Sequence, residues 1–119
     1  MMKQKVLLLE PHEGLRENIK ELLELEGYIV KILNTDAIKG DFTKTETAAV
    51  LLISGLFLSE NNRGLVFPTQ DIPIIVFSAD SDDLSYVPFG RWMPLPFQTE
   101  KLLDTVRTSF DSMLILHNN

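Results

Sequence analysis

Glu10, Ser54 and Ser78 each follow a short apolar run, residues 6–9, 50–53 and 74–77, and a fourth strand-like segment ends at Leu95 within Pro94-Leu95-Pro96-Phe97. Such runs read as strands buried on both faces. In open parallel sheets the edge where strands end carries function. One carboxylate, two hydroxyls and a leucine are a meagre set for that edge. A carboxylate can ligate a cation or move a proton, whereas a serine hydroxyl needs a neighbouring base before it attacks phosphorus. The four positions read as a pocket that has lost its chemistry.

The elements that position these residues follow from periodicity and breakers. Residues 13–26 place Leu15, Ile19, Leu22 and Leu23 at helical spacing, with Gly27 as the stop. Residues 28–33 are aromatic and β-branched and form a second strand. Residues 34–47, with Gly40 midway and only Ala37, Ile38 and Phe42 to bury, allow a short helix at most. Residues 48–53 and 72–77 are the third and fourth strands. Between them a polar loop, residues 59–64, interrupts a turn or two of helix. After Ser78 a helix can start at Asp80-Ser81-Asp82-Asp83, but Pro88 limits its length. Residues 91–94 make a brief fifth strand. A last helix from Thr99 to about residue 116 carries Leu102, Leu103, Val106, Phe110, Met113 and Leu114 on one stripe. Alternating strands and helices predict a doubly wound, five-stranded parallel sheet of the flavodoxin-like α/β class, three layers deep, with shortened second to fourth helices. Residues 1–119 read as one domain.

Composition narrows the function classes. The net charge of −6 and pI near 4.8 oppose a nucleic-acid footprint, which needs clustered Lys and Arg. With no cysteine, disulfides, thiolate metal sites and cysteine nucleophiles are excluded. No apolar run approaches the ~20 residues that span a bilayer. The first residues do not make a signal peptide, so the expectation is a cytoplasmic protein with no membrane partner.

With these elements in place, residues 5–17, Lys5-Val6-Leu7-Leu8-Leu9-Glu10-Pro11-His12-Glu13-Gly14-Leu15-Arg16-Glu17, resemble the opening of a CheY-like receiver domain of two-component response regulators. Val50-Leu51-Leu52-Ile53-Ser54, Ile72-Pro73-Ile74-Ile75-Val76-Phe77-Ser78-Ala79 and Trp92-Met93-Pro94-Leu95-Pro96-Phe97 continue the resemblance over nearly the whole chain. Working receivers hold an acidic pair after the first strand, an Asp acceptor after the third, Ser or Thr after the fourth and Lys after the fifth. Carried over, the acidic pair falls on Glu10 and Pro11, the acceptor on Ser54, the hydroxyl on Ser78 and the lysine on Leu95. The resemblance therefore implies a pseudo-receiver whose phospho-acceptor pocket is degenerate. Magnesium wants near-octahedral oxygen ligands, and Pro11 offers none from its side chain. Leu95 removes the cation that would offset charge on a transferred phosphoryl group. Phosphotransfer is expected to fail, so the chain is read as no enzyme and as needing no cofactor.

The resemblance also implies that the Leu95-Pro96 peptide bond is cis. It places Trp92 at an aromatic switch position and puts the partner face on the fourth helix, fifth strand and fifth helix, around Trp92, Phe97, Val106 and Phe110. The expected partner is a signalling protein, a histidine kinase-related protein or a second copy of the chain. Trp92 can equally be a half-buried edge aromatic, and residues 114–116 either core or partner surface.

Other features point less far. His12 reads as a solvated loop residue, since no partner lies at metal-ligand spacing. Glu10 to Gly14 and Ser54-Gly55-Leu56 partly match the Asp-x-His-x-x-Gly and Ser-x-Leu motifs of cobalamin-binding domains, leaving a cofactor-binding flavodoxin-like module as an alternative; a structural or assembly protein is another. Flavin binding is opposed by the acidic, hydroxyl-poor segment 11–14. The run Asp80-Ser81-Asp82-Asp83 lacks the glycine and distal glutamate of a calcium loop and reads as a solvated helix start. A remnant role is open to Ser54 as a target of a Ser/Thr kinase.

Overall fold

The computed structural model describes residues 4–34, 49–61, 72–87 and 89–117, with backbone alone over 113–117. Its centre is a parallel sheet of five strands: β1 (Lys5–Leu9), β2 (Ile29–Ile32), β3 (Ala49–Ser54), β4 (Ile74–Ser78) and β5 (Arg91–Pro94). They lie in the order β2-β1-β3-β4-β5, the flavodoxin-like arrangement. β3 and β4 are buried at every position and β1 at all but its first, which is why their sequences are continuously apolar instead of alternating. The edge strands β2 and β5 alternate or mix exposed with covered residues.

Because side chains alternate across a strand, the sheet divides the core. Val6 and Leu8 of β1 join Val50, Leu52, Ile75, Phe77 and Met93 beneath α1 (Glu13–Leu25) and α3 (Thr99–His117), which contribute Ile19, Leu23, Leu102, Val106 and Phe110. Leu7 and Leu9 face the other way, with Leu51, Ile53, Ile74 and Val76, and are covered by Phe57 and Leu58 of α2 (Gly55–Asn61) and by Val87.

His12 is exposed as expected, but it also starts α1: its Nδ1 accepts the Leu15 N–H at 3.3 Å. The helix ends in a Schellman turn. The Gly27 N–H donates to the Glu24 carbonyl at 3.0 Å and the Tyr28 N–H to the Leu23 carbonyl at 3.1 Å, and Gly27 takes a φ of 97°, open to glycine at little cost. The turn delivers Tyr28 onto Phe110 of α3, with ring centroids 5.6 Å apart and planes 11° from parallel.

The connection after β4 is abbreviated as predicted, and after β3 the described residues hold one short helix. α2 has seven residues, and after β4 a 3-10 helix (Ser81–Tyr86) stands where a longer helix could have begun. One expectation changes: Ser59, Glu60 and Asn61 belong to α2, not to a polar loop. Ser59 Oγ donates to the Leu56 carbonyl at 2.8 Å and Asn61 Nδ2 to the Phe57 carbonyl at 3.1 Å, so the polar side chains are absorbed by the helix backbone. Of the short helix expected over 34–47, all but Asn34 lies outside the described residues, as do residues 62–64 of the expected loop.

Candidate functional site

Parallel pairing in register brings the strand ends together. β1 pairs with β3 as far as Leu9 opposite Ile53, and β3 with β4 as far as Ser54 opposite Phe77. Glu10, Ser54 and Ser78 therefore emerge side by side, and all three are buried, at 7%, 4% and 6% exposure. The sequence placed them correctly at one edge. Their bonding is internal.

Ser54 Oγ accepts the Phe57 N–H at 3.2 Å, the N-cap bond that starts α2. Burial raises the Glu10 carboxyl above its ordinary value, against the opposing pull of the His12 backbone amide, the Ser54 hydroxyl and the His12 and Arg16 charges. Arg16 spends a donor on the Glu10 backbone carbonyl, at 3.5 Å. Pro11 is exposed and turns the chain from β1 into α1. A Ser/Thr kinase would meet Ser54 as a buried hydroxyl already holding a helix end, which opposes that remnant role.

Ser78 is the most heavily bonded of the set. Its hydroxyl donates to Asp83 Oδ2 and accepts the Asp80 N–H at 3.1 Å. Its carbonyl accepts the Leu95 N–H at 3.0 Å and the Trp92 indole N–H at 3.1 Å. Asp80, as expected of a helix start, caps the 3-10 helix by accepting the Asp82 N–H at 2.9 Å. Asp83 departs from the expectation of a solvated run, since it turns inward onto Ser78. Nothing in the local pattern of Asp80-Ser81-Asp82-Asp83 distinguishes it beyond its place beside Leu84, which packs against the core.

Gly55 completes the enclosure. A Cβ at this position would lie 2.5 Å from Ser78 Cβ and 2.9 Å from both Ser78 Oγ and Asp83 Oδ2. Only the absence of a side chain lets α2 start so close to β4.

Leu95 is half-buried and packs with Phe97 against the cluster beneath α1 and α3. The Leu95-Pro96 peptide is cis, as the resemblance implied. Beside them a shallow groove of about 400 Å³ is lined by Leu15, Asn18, Ala79, Leu95, Pro96 and Phe97. It is apolar at the place where a lysine was the reference.

The expected partner face needs correction. Val106 and Phe110 are 0% and 2% exposed and belong to the core, because the stripe they share with Leu102 is the face of α3 turned to the sheet. Trp92 and Phe97 are half-buried. Among the described residues the exposed aromatics are Tyr86 at 38%, the last residue of the 3-10 helix, and Phe89 at 47%, in the turn before β5, and neither was singled out from sequence. Side chains of residues 113–117, including the 114–116 stripe, lie outside those described.

These residues do not fit a magnesium ion. Glu10 is one carboxylate with a raised pKa, Pro11 has no side-chain oxygen, and the Asp83 carboxylate is taken by Ser78. Among the described residues no group of three or more His, Asp or Glu is placed to hold a metal. Every buried polar side-chain atom among them has a partner within the chain.

No protein-family model matches the sequence, and no curated protein does. Solved structures do. The chemotaxis response regulator CheY4 of Vibrio cholerae superposes with a TM-score of 0.62 at 16% identity, over 91% of this chain and 99% of that one. The signal receiver domain of a Luxo repressor protein from Vibrio parahaemolyticus gives 0.68 at 16% identity, over 98% and 96%. The receiver domain of a sensor histidine kinase from Pseudomonas aeruginosa, solved with magnesium coordinated in its active-site cleft, gives 0.65 at 17% identity, over 92% and 99%. The chain thus has the CheY-like receiver fold.

Proposed function

We propose that this chain is a response-regulator-like signalling domain that is not phosphorylated and acts by binding another protein. The observation that carries the reading is the fate of Leu95: at the lysine position of the family, a half-buried apolar side chain packs against the core cluster and offers the strand edge no cation. The remaining pocket groups agree, since Ser54 closes α2, Glu10 stands alone as a carboxylate and Ser78 is held by Asp83. The Pseudomonas receiver coordinates magnesium in its cleft, and among the described residues here no group of three or more His, Asp or Glu is placed to hold a metal.

An edge whose hydrogen bonds are all satisfied internally offers surface, not chemistry. The aromatics at the surface, Tyr86 and Phe89, supply the large rigid contacts that are enriched at protein interfaces. The partner is a signalling protein or a second copy of this chain in a cytoplasmic two-component context.

The test is a ¹⁵N-¹H correlation spectrum recorded with and without magnesium and beryllofluoride, a mimic of the acyl phosphate. Unmoved amides of Glu10, Ser54 and Ser78 and an unmoved Trp92 indole are expected. Saturable shifts at these groups would overturn the loss of phosphoryl sensing.

A further inference from the structure

Ser78 joins three elements through one residue. Its hydroxyl binds the side chain of Asp83 in the 3-10 helix, and its carbonyl binds the indole of Trp92 in β5 and the backbone of Leu95 just after it. Gly55 presses against the same hydroxyl and the same carboxylate from α2. Two of these contacts are backbone geometry of the sheet end. The Asp83 contact is different, because it is the only one of them made by a charged side chain reaching back from a segment with little packing of its own.

That segment buries little of itself, although it lies against α2, β4 and β5. The 3-10 helix contains no fully buried residue, and only Asp83 and Leu84 within it are partly covered. A hydrogen bond to a charged acceptor is roughly twice as strong as one between neutral groups. This part-buried bond adds to the packing of Leu84 in positioning the helix.

We propose that Asp83 is an internal latch. Its carboxylate fills the space before Ser78 and fixes the 3-10 helix on the ends of β4 and β5, with the Ser78 carbonyl bond holding the Trp92 indole in one position. Tyr86, the last residue of that helix, and Phe89 beyond it are then displayed in a single arrangement without any added group at the pocket. The latch stands on the hydrogen-bond geometry alone; that the displayed aromatics meet a partner rests on the reading given above.

Amide and indole hydrogen exchange on the full chain tests it. In Asp83→Ala, exchange of the Trp92 indole and of the Leu95 and Val87 amides is expected to rise about tenfold relative to β1 amides such as Leu8, the size expected for one charge-assisted bond. Ser78→Ala should show the same pattern. Asp83→Asn, which keeps an acceptor oxygen but loses the charge, should fall between wild type and Asp83→Ala, and the exposed neighbour variant Asp82→Ala should leave all three sites unchanged. Exchange in Asp83→Ala within twofold of wild type, or an equal rise in Asp82→Ala, would overturn the latch. If Asp83→Ala does not fold, Asp83→Asn decides: a rise in exchange confined to these three sites with β1 amides unchanged supports the latch, and exchange within twofold of wild type, or protection lost uniformly with the β1 amides, overturns it. The beryllofluoride titration reads a separate property, so either idea can fail without the other.

Discussion

Glu10 is held where its charge is disfavoured. Burial raises its folded-state pKa above the ordinary 4.5, so the stabilisation tied to its proton is complete below that value and is lost as pH rises through the raised one. Glu10→Gln should therefore be more stable than wild type at pH 7, with the gap closing below about pH 4 as both side chains become neutral; urea melts at several pH values read this directly. A variant less stable than wild type at pH 7 would mean that the hydrogen bonds to the charged form outweigh the burial. His12 carries a smaller effect: His12→Ala removes the Nδ1 cap at 3.3 Å and should cost about 0.5 kcal/mol, the low end for caps, seen as a small drop in melting temperature. At this scale the sequence was legible wherever strand ends dictated position, as for Glu10, Ser54, Ser78 and Leu95. It was silent on Asp83, because periodicity does not say which acid in an acidic run folds back onto a neighbouring strand. Val106 and Phe110 were misplaced because resemblance to a family face was allowed to outweigh their own spacing with Leu102, four and eight residues on.

Helices here are set by what their ends can bond to. Gly27 closes α1 with a φ of 97°, so Gly27→Ala should lower stability by about 1 kcal/mol or more, measured by thermal or chemical denaturation. Gly55→Ala acts through crowding, since the new Cβ would lie 2.5 Å from that of Ser78. A cost of about 1–3 kcal/mol is expected for such overpacking, together with shifted amides at Ser78 and Asp83; a variant matching wild type in both would show that α2 can retreat freely. The shortness of the 3-10 helix was readable from Pro88. The inclusion of Ser59 to Asn61 in α2 was not, because their side chains look like loop residues until they are seen bonding to the helix's own carbonyls.

The molecule as a whole is acidic, with a net charge of −6. Self-repulsion at neutral pH favours dispersed molecules, and turbidity should peak near the pI of about 4.8. Strand order and parallel pairing were legible because continuous apolar runs joined by helical segments leave few alternatives. What covers the outward side of β2 was not, since Ile29 and Lys31 are exposed and the segment that follows carries weak patterning. The sheet also acts as a partition. Leu8 and Leu9 are bonded neighbours, yet one faces α1 and α3 and the other α2. Truncating either to Ala should cost about 2–5 kcal/mol, and the two losses should add with little interaction in a double-mutant cycle. Leu8 and Ile19, distant in sequence but in one compartment, should deviate from additivity by about 0.5 kcal/mol or more. Substitutions on the two sides can therefore accumulate as if in two separate small cores, and a repacking on the α1 and α3 side can proceed without disturbing the side that carries α2.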